Sequence, residues 1–336
     1  MKVVTVNGEQ VAAHLSMNKC MDLMANALKT LAEDASIQPL RSVMWLPGKK
    51  GLLGMMPAFE GDTGIMGIKV ISVFPENRNT PLPPLLEGKG GKAGLSSHQG
   101  VLLLFDSKNG KLLSIIDAEE VTAIRTAAVS AVATRSLANA DARNLAILGS
   151  GVQASRHFEA ISLVRKIEKA KIWSRNHQHA EQLVRSESGN YNFQIEACKT
   201  VQQTVEDADI ICTTTAAKEP ILSDEWVKQG VHINAVGACT PSNRELDSEL
   251  VVRSKIFTDR RESLFNEAGD FLIPKKEGLI GEEKIGGEIG EVLLRKVKGR
   301  ESREEITIFK ALGLAVEDLA AGYYVYKKEL EDYKFI

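Results

Sequence analysis

The run Asn144-Leu145-Ala146-Ile147-Leu148-Gly149-Ser150-Gly151-Val152-Gln153-Ala154 constrains this chain most, because an apolar strand breaks there into Gly-x-Gly-x-x-Ala. A buried strand needs the apolar residues, and the tight turn after it needs Gly149. Gly151 leaves room for a pyrophosphate to reach the backbone of Ser150, Val152 and Gln153 at the start of the next helix. Ala154 lets helix and strand pack closely. Glycine turns after strands are common, so the pattern takes its weight from the next strand. One βαβ unit later that second strand, Ala170 to Trp173, ends at Ser174-Arg175-Asn176, where the ribose of a dinucleotide would be read. No acid stands there to repel a 2′-phosphate. Arg175 offers a planar charged fork, with Ser174 and Asn176 as neutral donors. The expected cofactor is therefore NADPH, with NADH left open.

Composition narrows the partners. The 336 residues suffice for two domains, and 43% hydrophobic with 26% charged residues describes an ordinary globular protein. A formal net charge of -2 provides no field for nucleic acid or an acidic membrane surface, which points to a small-molecule ligand. The stretch from Met1 to Glu9 lacks the apolar core of a signal peptide, and no later stretch is apolar for long enough to span a bilayer, so a cytoplasmic location is expected. Cys20, Cys198, Cys212 and Cys239 show no metal-ligand spacing and read as reduced thiols; no metal is expected.

Along the chain, apolar positions at helical spacing predict a helix over Met17 to Leu31. Strands are predicted at Ser42 to Leu46, Gly67 to Phe74 and Gly100 to Phe105, and Asp106-Ser107-Lys108-Asn109-Gly110 reads as a hairpin tip. Pro81 to Gly94, rich in Pro, Gly and Lys, reads as a mobile loop or linker. An Ala-rich helix is expected from Glu119 to Leu137. Strands at Leu145 to Leu148, Lys171 to Trp173, Ile210 to Thr213, His232 to Val236 and Ile256 to Thr258 then alternate with helices, as in a doubly wound α/β sheet. A charged region with Pro274 comes next, and a last helix runs from about Leu312 to Tyr333.

Several further stretches carry a resemblance. Gln38-Pro39-Leu40-Arg41, Gly54-Met55-Met56-Pro57-Ala58, Lys69, Ser97-His98-Gln99, Arg125-Thr126-Ala127-Ala128, the glycine turn, His232 to Ala238 and Ile308-Phe309-Lys310-Ala311-Leu312-Gly313 occur in order. Over nearly its whole length the chain resembles the ornithine cyclodeaminase and mu-crystallin family, most closely the ketimine reductase members. The resemblance implies a Rossmann domain over residues 131–305, inserted into a discontinuous α+β substrate-binding and dimerisation domain at 1–130 and 306–336, and a homodimer. It places Arg41, Lys69 and Arg125 around an amino-acid-like substrate, with Met56, Ser97 and His98 along the pocket; a lone histidine such as His98 more often has a structural role. It sets Thr213, Thr214 and Val236 along the ribose and nicotinamide, and Lys310 and Leu312 near the carboxamide.

These residue types suit one chemistry. Two guanidinium groups can hold an α-carboxylate bidentately, and a lysine beside two cations loses affinity for its proton and can move one at neutral pH. Cyclodeaminases carry an Asp directly after the glycine matching Gly237; this chain has Ala238, which can accept no proton, so conversion of ornithine to proline is disfavoured. The expected reaction is reduction of a cyclic ketimine carboxylate, 1-piperideine-2-carboxylate or 1-pyrroline-2-carboxylate, at C2 to an L-imino acid. Two other readings stay open. One is an L-amino-acid dehydrogenase of alanine type, or one forming N-alkyl amino acids. The other is an NADPH-dependent small-molecule or hormone-binding protein of crystallin type.

Overall fold

The computed structural model describes residues 3–74, 76–77 and 96–332. The Pro81 to Gly94 loop, Pro75 and Tyr333 lie outside the described residues. In chain order the first elements are β1 (Val4–Val6), α1 (Gly8–His14), α2 (Met17–Ala32), β2 (Ser42–Trp45), β3 (Leu52–Glu60), β4 (Ile65–Val73), β5 (His98–Asp106), β6 (Leu112–Asp117) and α3 (Ala118–Leu137). Then come β7 (Asn144–Leu148), α4 (Val152–Val164), β8 (Lys169–Trp173), α5 (His177–Glu187), β9 (Gln194–Ala197), α6 (Val201–Val205), β10 (Ile210–Thr213) and β11 (His232–Ala235). The last are α7 (Ser248–Arg253), β12 (Lys255–Thr258), α8 (Arg261–Glu267), α9 (Gly269–Lys276), β13 (Ile285–Glu288), α10 (Ile289–Leu293), β14 (Thr307–Lys310) and α11 (Ala315–Asp332).

The chain divides into two compact units, residues 1–16, 33–122 and 314–336 in one and 17–32 with 123–313 in the other. The first holds a six-stranded sheet in the order β1-β6-β5-β4-β3-β2. Its long strands β3, β4 and β5 pair antiparallel through their full length, joined to β6 across the hairpin at Asp106–Gly110. Helix α11 packs on β3, β4 and β5. Gln38 Oε1 accepts the Val316 N–H at 3.0 Å, which ties the segment carrying Arg41 to the start of that helix.

The second unit is an eight-stranded parallel sheet in the order β13-β12-β14-β11-β10-β7-β8-β9. Strands β7, β8 and β9 step outward one way, and the next in sequence, β10, lies on the other side of β7. That reversal opens a crevice at the carboxyl ends of β7 and β10. The central strands β7, β10, β11 and β14 are short and buried almost throughout, as a position between helical layers requires. Helix α3 ends inside the protein, so its last carbonyls need donors. Arg165 donates to Thr134 O, Arg135 O, Ala138 O and Asn139 O, and Arg300 donates to Leu137 O.

Two boundaries differ from the sequence reading. Helix α2, assigned there to the first domain, packs against α4 and α10 in the second unit. Strand β14, expected to belong with the C-terminal half of the substrate domain, is hydrogen-bonded between β11 and β12. The helical pattern was legible from sequence, but which unit covers its apolar face depends on contacts distant in the chain.

Candidate active site

The glycine turn has the geometry its sequence demands. Gly149 adopts φ 127°, and a β-carbon there would stand 2.5 Å from Thr214 Oγ1, so conformation and space both exclude a side chain. Gly151 is the N-cap residue of α4, no side chain caps that helix start, and nothing lies within 4 Å of where its β-carbon would be. Val152, the first helical residue, is exposed, whereas Ala154 is buried against the sheet. An open helix N-terminus reached over a side-chain-free turn fits a pyrophosphate.

At the end of β8 the Ser174 hydroxyl lies 2.8 Å from that of Ser150, joining the ribose-reading position to the glycine turn. Arg175 beside it is exposed. Asn176 has a structural task that the sequence reading did not give it: as N-cap of α5, its side-chain Oδ1 accepts the Gln178 N–H at 3.1 Å.

The ends of β10 and β11 complete this crevice. Thr214 N donates to Leu148 O at 2.8 Å, which lays the loop after β10 on the last residue of β7. Thr213 is buried and donates to Glu245 Oε2 at 2.7 Å. Val236 and Ala238 are buried on the loop after β11, and the methyl group at 238 brings no acid or base there. Burial pushes the Glu245 carboxyl up from its usual range; Lys310 opposes this and Asp270 adds to it.

Lys310 and Leu312 are both buried and tied to carboxylates of the same unit. Lys310 is 1% exposed; its ammonium lies 3.0 Å from Asp270 Oδ2 and donates to Ala235 O at 3.1 Å. Burial alone would lower its proton affinity, but Asp270, Cys239 and Glu245 together outweigh that and raise it. Its charge is thus balanced within the protein. The Leu312 and Gly313 N–H groups both donate to the buried Asp259 Oδ2, at 2.6 and 2.7 Å. Gly313 takes φ 76°, and a β-carbon there would stand 2.8 and 2.9 Å from the two terminal guanidinium nitrogens of Arg125. The buried Arg125 therefore rests on the bare backbone that Asp259 fixes.

In the first unit, Lys69 on β4 is 2% exposed, with Nζ 2.6 Å from Asp318 Oδ2 on the first turn of α11 and 3.4 Å from Thr122 Oγ1. The contact is a buried ion pair between a strand lysine and a helix aspartate. Met56 is buried and faces Lys69 across the β3–β4 register. Arg41 is half-buried just before β2. His98 is exposed at the start of β5, its Nδ1 3.1 Å from Ser97 Oγ. It pairs with Val73, four residues along β4 from Lys69, a separation of about 13 Å at the rise of a strand. The structure thus does not bring His98 to Lys69. The sequence reading missed Asp318, Glu245, Asp259 and Asp270. The one available signal was that a buried lysine requires a counter-charge.

Among the described residues no group of three or more His, Cys, Asp or Glu side chains is arranged to hold a metal, and no helix is long and apolar enough to cross a membrane.

The strand order and the glycine turn define a Rossmann-type dinucleotide-binding protein. The chain belongs to the ornithine cyclodeaminase/mu-crystallin family, whose sequence profile matches residues 2–332. It is 39% identical over 292 residues to the ketimine reductase mu-crystallin of Mus musculus, covering 86% of this chain and 84% of the relative. Among solved structures it is similar to the Δ1-pyrroline-2-carboxylate reductase of Thermococcus litoralis in complex with NADH and L-proline, with a TM-score of 0.91, 34% identity and 98% of each chain covered. It is also similar to an archaeal alanine dehydrogenase dimer with bound NAD, with a TM-score of 0.89, 29% identity, and 99% of this chain and 97% of that one covered.

Proposed function

We propose that this chain is a nicotinamide-dependent reductase that converts a cyclic ketimine carboxylate, 1-piperideine-2-carboxylate or 1-pyrroline-2-carboxylate, into the L-imino acid. The observation that carries the reading is the buried Lys69 ammonium paired with Asp318. An imine carbon accepts hydride readily only when its nitrogen is protonated, and a buried lysine ammonium can supply that proton. We assign the substrate carboxylate to Arg41 and Arg125, as planar donors suited to two-point contact, and the proton at the imine nitrogen to Lys69. Met56 packs beside Lys69 as pocket wall. The reductase activities of the relatives support this chemistry, and Ala238 supports it against ring closure of ornithine.

Bound NAD(P)H supplies the hydride. Gly149, Ser150, Gly151, Val152 and Gln153 receive the pyrophosphate, Ser174 and Arg175 the adenosine ribose, and Thr213, Thr214 and Val236 line the nicotinamide side. NADPH is the proposed form because Arg175 is exposed at the ribose position with no acid from 174 to 176. The T. litoralis neighbour holds NADH, which keeps NADH as the alternative. A homodimer is supported by edge strand β2, whose Val43, Met44 and Trp45 are 40, 51 and 51% exposed. Three of four cysteines are buried thiols and none forms a disulfide, in keeping with a cytoplasmic location.

The test is loss of NADPH absorbance with the two cyclic imines and with pyruvate plus ammonia or methylamine, beside release of ammonia from ornithine with NAD. Turnover of a cyclic imine well above the others is the expected result. Activity confined to pyruvate plus amine would move the chain to the amino-acid dehydrogenases, to which one structural neighbour belongs.

A further inference from the structure

Two loops extend from the carboxyl ends of β10 and β11, and one buried carboxylate holds both. Glu245 Oε1 accepts from Thr215 N at 2.8 Å and Thr215 Oγ1 at 2.7 Å; Oε2 accepts from Thr213 Oγ1 at 2.7 Å and Gly237 N at 2.8 Å. The loops are in contact at this point, since a β-carbon on Gly237 would stand 2.0 Å from Thr215 O. Glu245 is itself held from below. Asp270 Oδ1 accepts the Glu245 and Leu246 N–H groups at 2.8 and 3.0 Å, and Asp270 Oδ2 pairs with Lys310. A chain of contacts therefore runs from β14 through Asp270 and Glu245 to the residues flanking the crevice. The loop after β10 also touches the glycine turn, through Thr214.

We propose that Glu245 is the positioning residue for the nicotinamide half of the cofactor, setting the separation of the Thr213–Thr215 and Val236–Ala238 loops. This rests on the cofactor reading above. Glu245 contacts neither cofactor nor substrate; it acts through Thr213, Thr215 and Gly237. A carboxylate suits the task because it presents two acceptor oxygens to four donors, where an amide presents one.

The test compares ligands that share the adenosine end and differ at the other. Glu245→Gln is expected to weaken NADH by about tenfold or more while leaving ADP affinity unchanged, and NADPH likewise against 2′-phospho-ADP, since the amide loses half the acceptor capacity. A variant that merely loosens the fold would lose ADP as well. Thr215→Val removes one hydroxyl at constant shape, and carries the same comparison if Glu245→Gln does not fold. Equal loss of dinucleotide and ADP, or no loss of either, overturns the proposal. Failure of the unsubstituted chain to bind any nicotinamide nucleotide overturns the cofactor reading beneath it, a result obtained before any variant is made.

Discussion

Lys69 and Asp318, far apart in the chain, meet as a buried ion pair with 2.6 Å between Nζ and Oδ2. Asp318 lies on the first turn of α11, the helix that covers β3, β4 and β5, so the packing of that helix delivers the counter-charge to the strand lysine. The pairing fixes the ammonium in place as well as neutralising it, because Lys69 extends from the middle of a nine-residue strand paired on both sides.

Removing one partner of such a pair strands a buried charge, whereas replacing both with apolar groups of similar size need not cost stability. Lys69→Met is expected to lose roughly 3–5 kcal/mol, and the double substitution Lys69→Met with Asp318→Leu to recover most of that in urea unfolding. Imine turnover should be absent in both. A double variant that regained turnover along with stability would remove Lys69 from the chemistry.

Arg125 is expected to matter for substrate and not for cofactor. Arg125→Ala should abolish imine turnover while NADPH still binds; retained turnover would make the carboxylate assignment wrong. Gly313→Ala tests the same group indirectly. It places a methyl group against the guanidinium and forces an L side chain into φ 76°, a strain of about 1–3 kcal/mol. Its expected signature is a KM for the imine raised at least tenfold with NADPH affinity kept, measured by steady-state kinetics beside fluorescence titration.

Much of this arrangement could be read from residue patterns, and the remainder depends on contacts between distant segments. Five of the strands between Leu145 and Thr258 were legible because central parallel strands are short apolar runs bounded by turns, whereas edge strand β9, Gln194–Ala197, with polar residues at alternate positions, was missed. The glycine turn was legible because its steric needs are local. Strand β14 was harder: Thr307-Ile308-Phe309-Lys310 has the run of a buried strand, yet nothing local says that it enters the sheet between β11 and β12. Lys310 shows the same limit, since nothing local marks Asp270 as the carboxylate beside it. Glu245, Asp259 and Asp318 sit among many acids in the sequence and are distinguished only by what the fold buries next to them.

Cofactor choice turns on Arg175. If its guanidinium receives the 2′-phosphate, Arg175→Asp should weaken NADPH by a hundredfold or so, combining a lost charge-assisted contact with a new repulsion, and should change NADH by little. Dissociation constants for both nucleotides, measured on parent and variant at one ionic strength, decide this. Equal effects would leave Arg175 as a solvated loop residue.

His157 on α4 provides a pH test of the second unit. Its ring is buried, with Nδ1 2.7 Å from Gln153 O and Nε2 2.9 Å from Ser130 Oγ, and burial holds its pKa down at about 4 from 6.5. The unfolded chain thus binds a proton at a pH where the folded one does not. The contribution of His157 to stability is full above about pH 6.5, declines as the pH falls toward 4, and is exhausted below it, a total of about 3 kcal/mol. His232, held near 3 by burial, acts in the same direction, whereas Glu245 and Asp259, pushed up by burial, act in the opposite one. The profile of the parent alone therefore mixes these effects, and the difference between parent and His157→Asn isolates one. The parent's advantage over that variant should shrink by up to about 3 kcal/mol between pH 7 and pH 4 in urea unfolding. A difference constant across that range would mean that the folded protein protonates His157 as readily as the unfolded chain does.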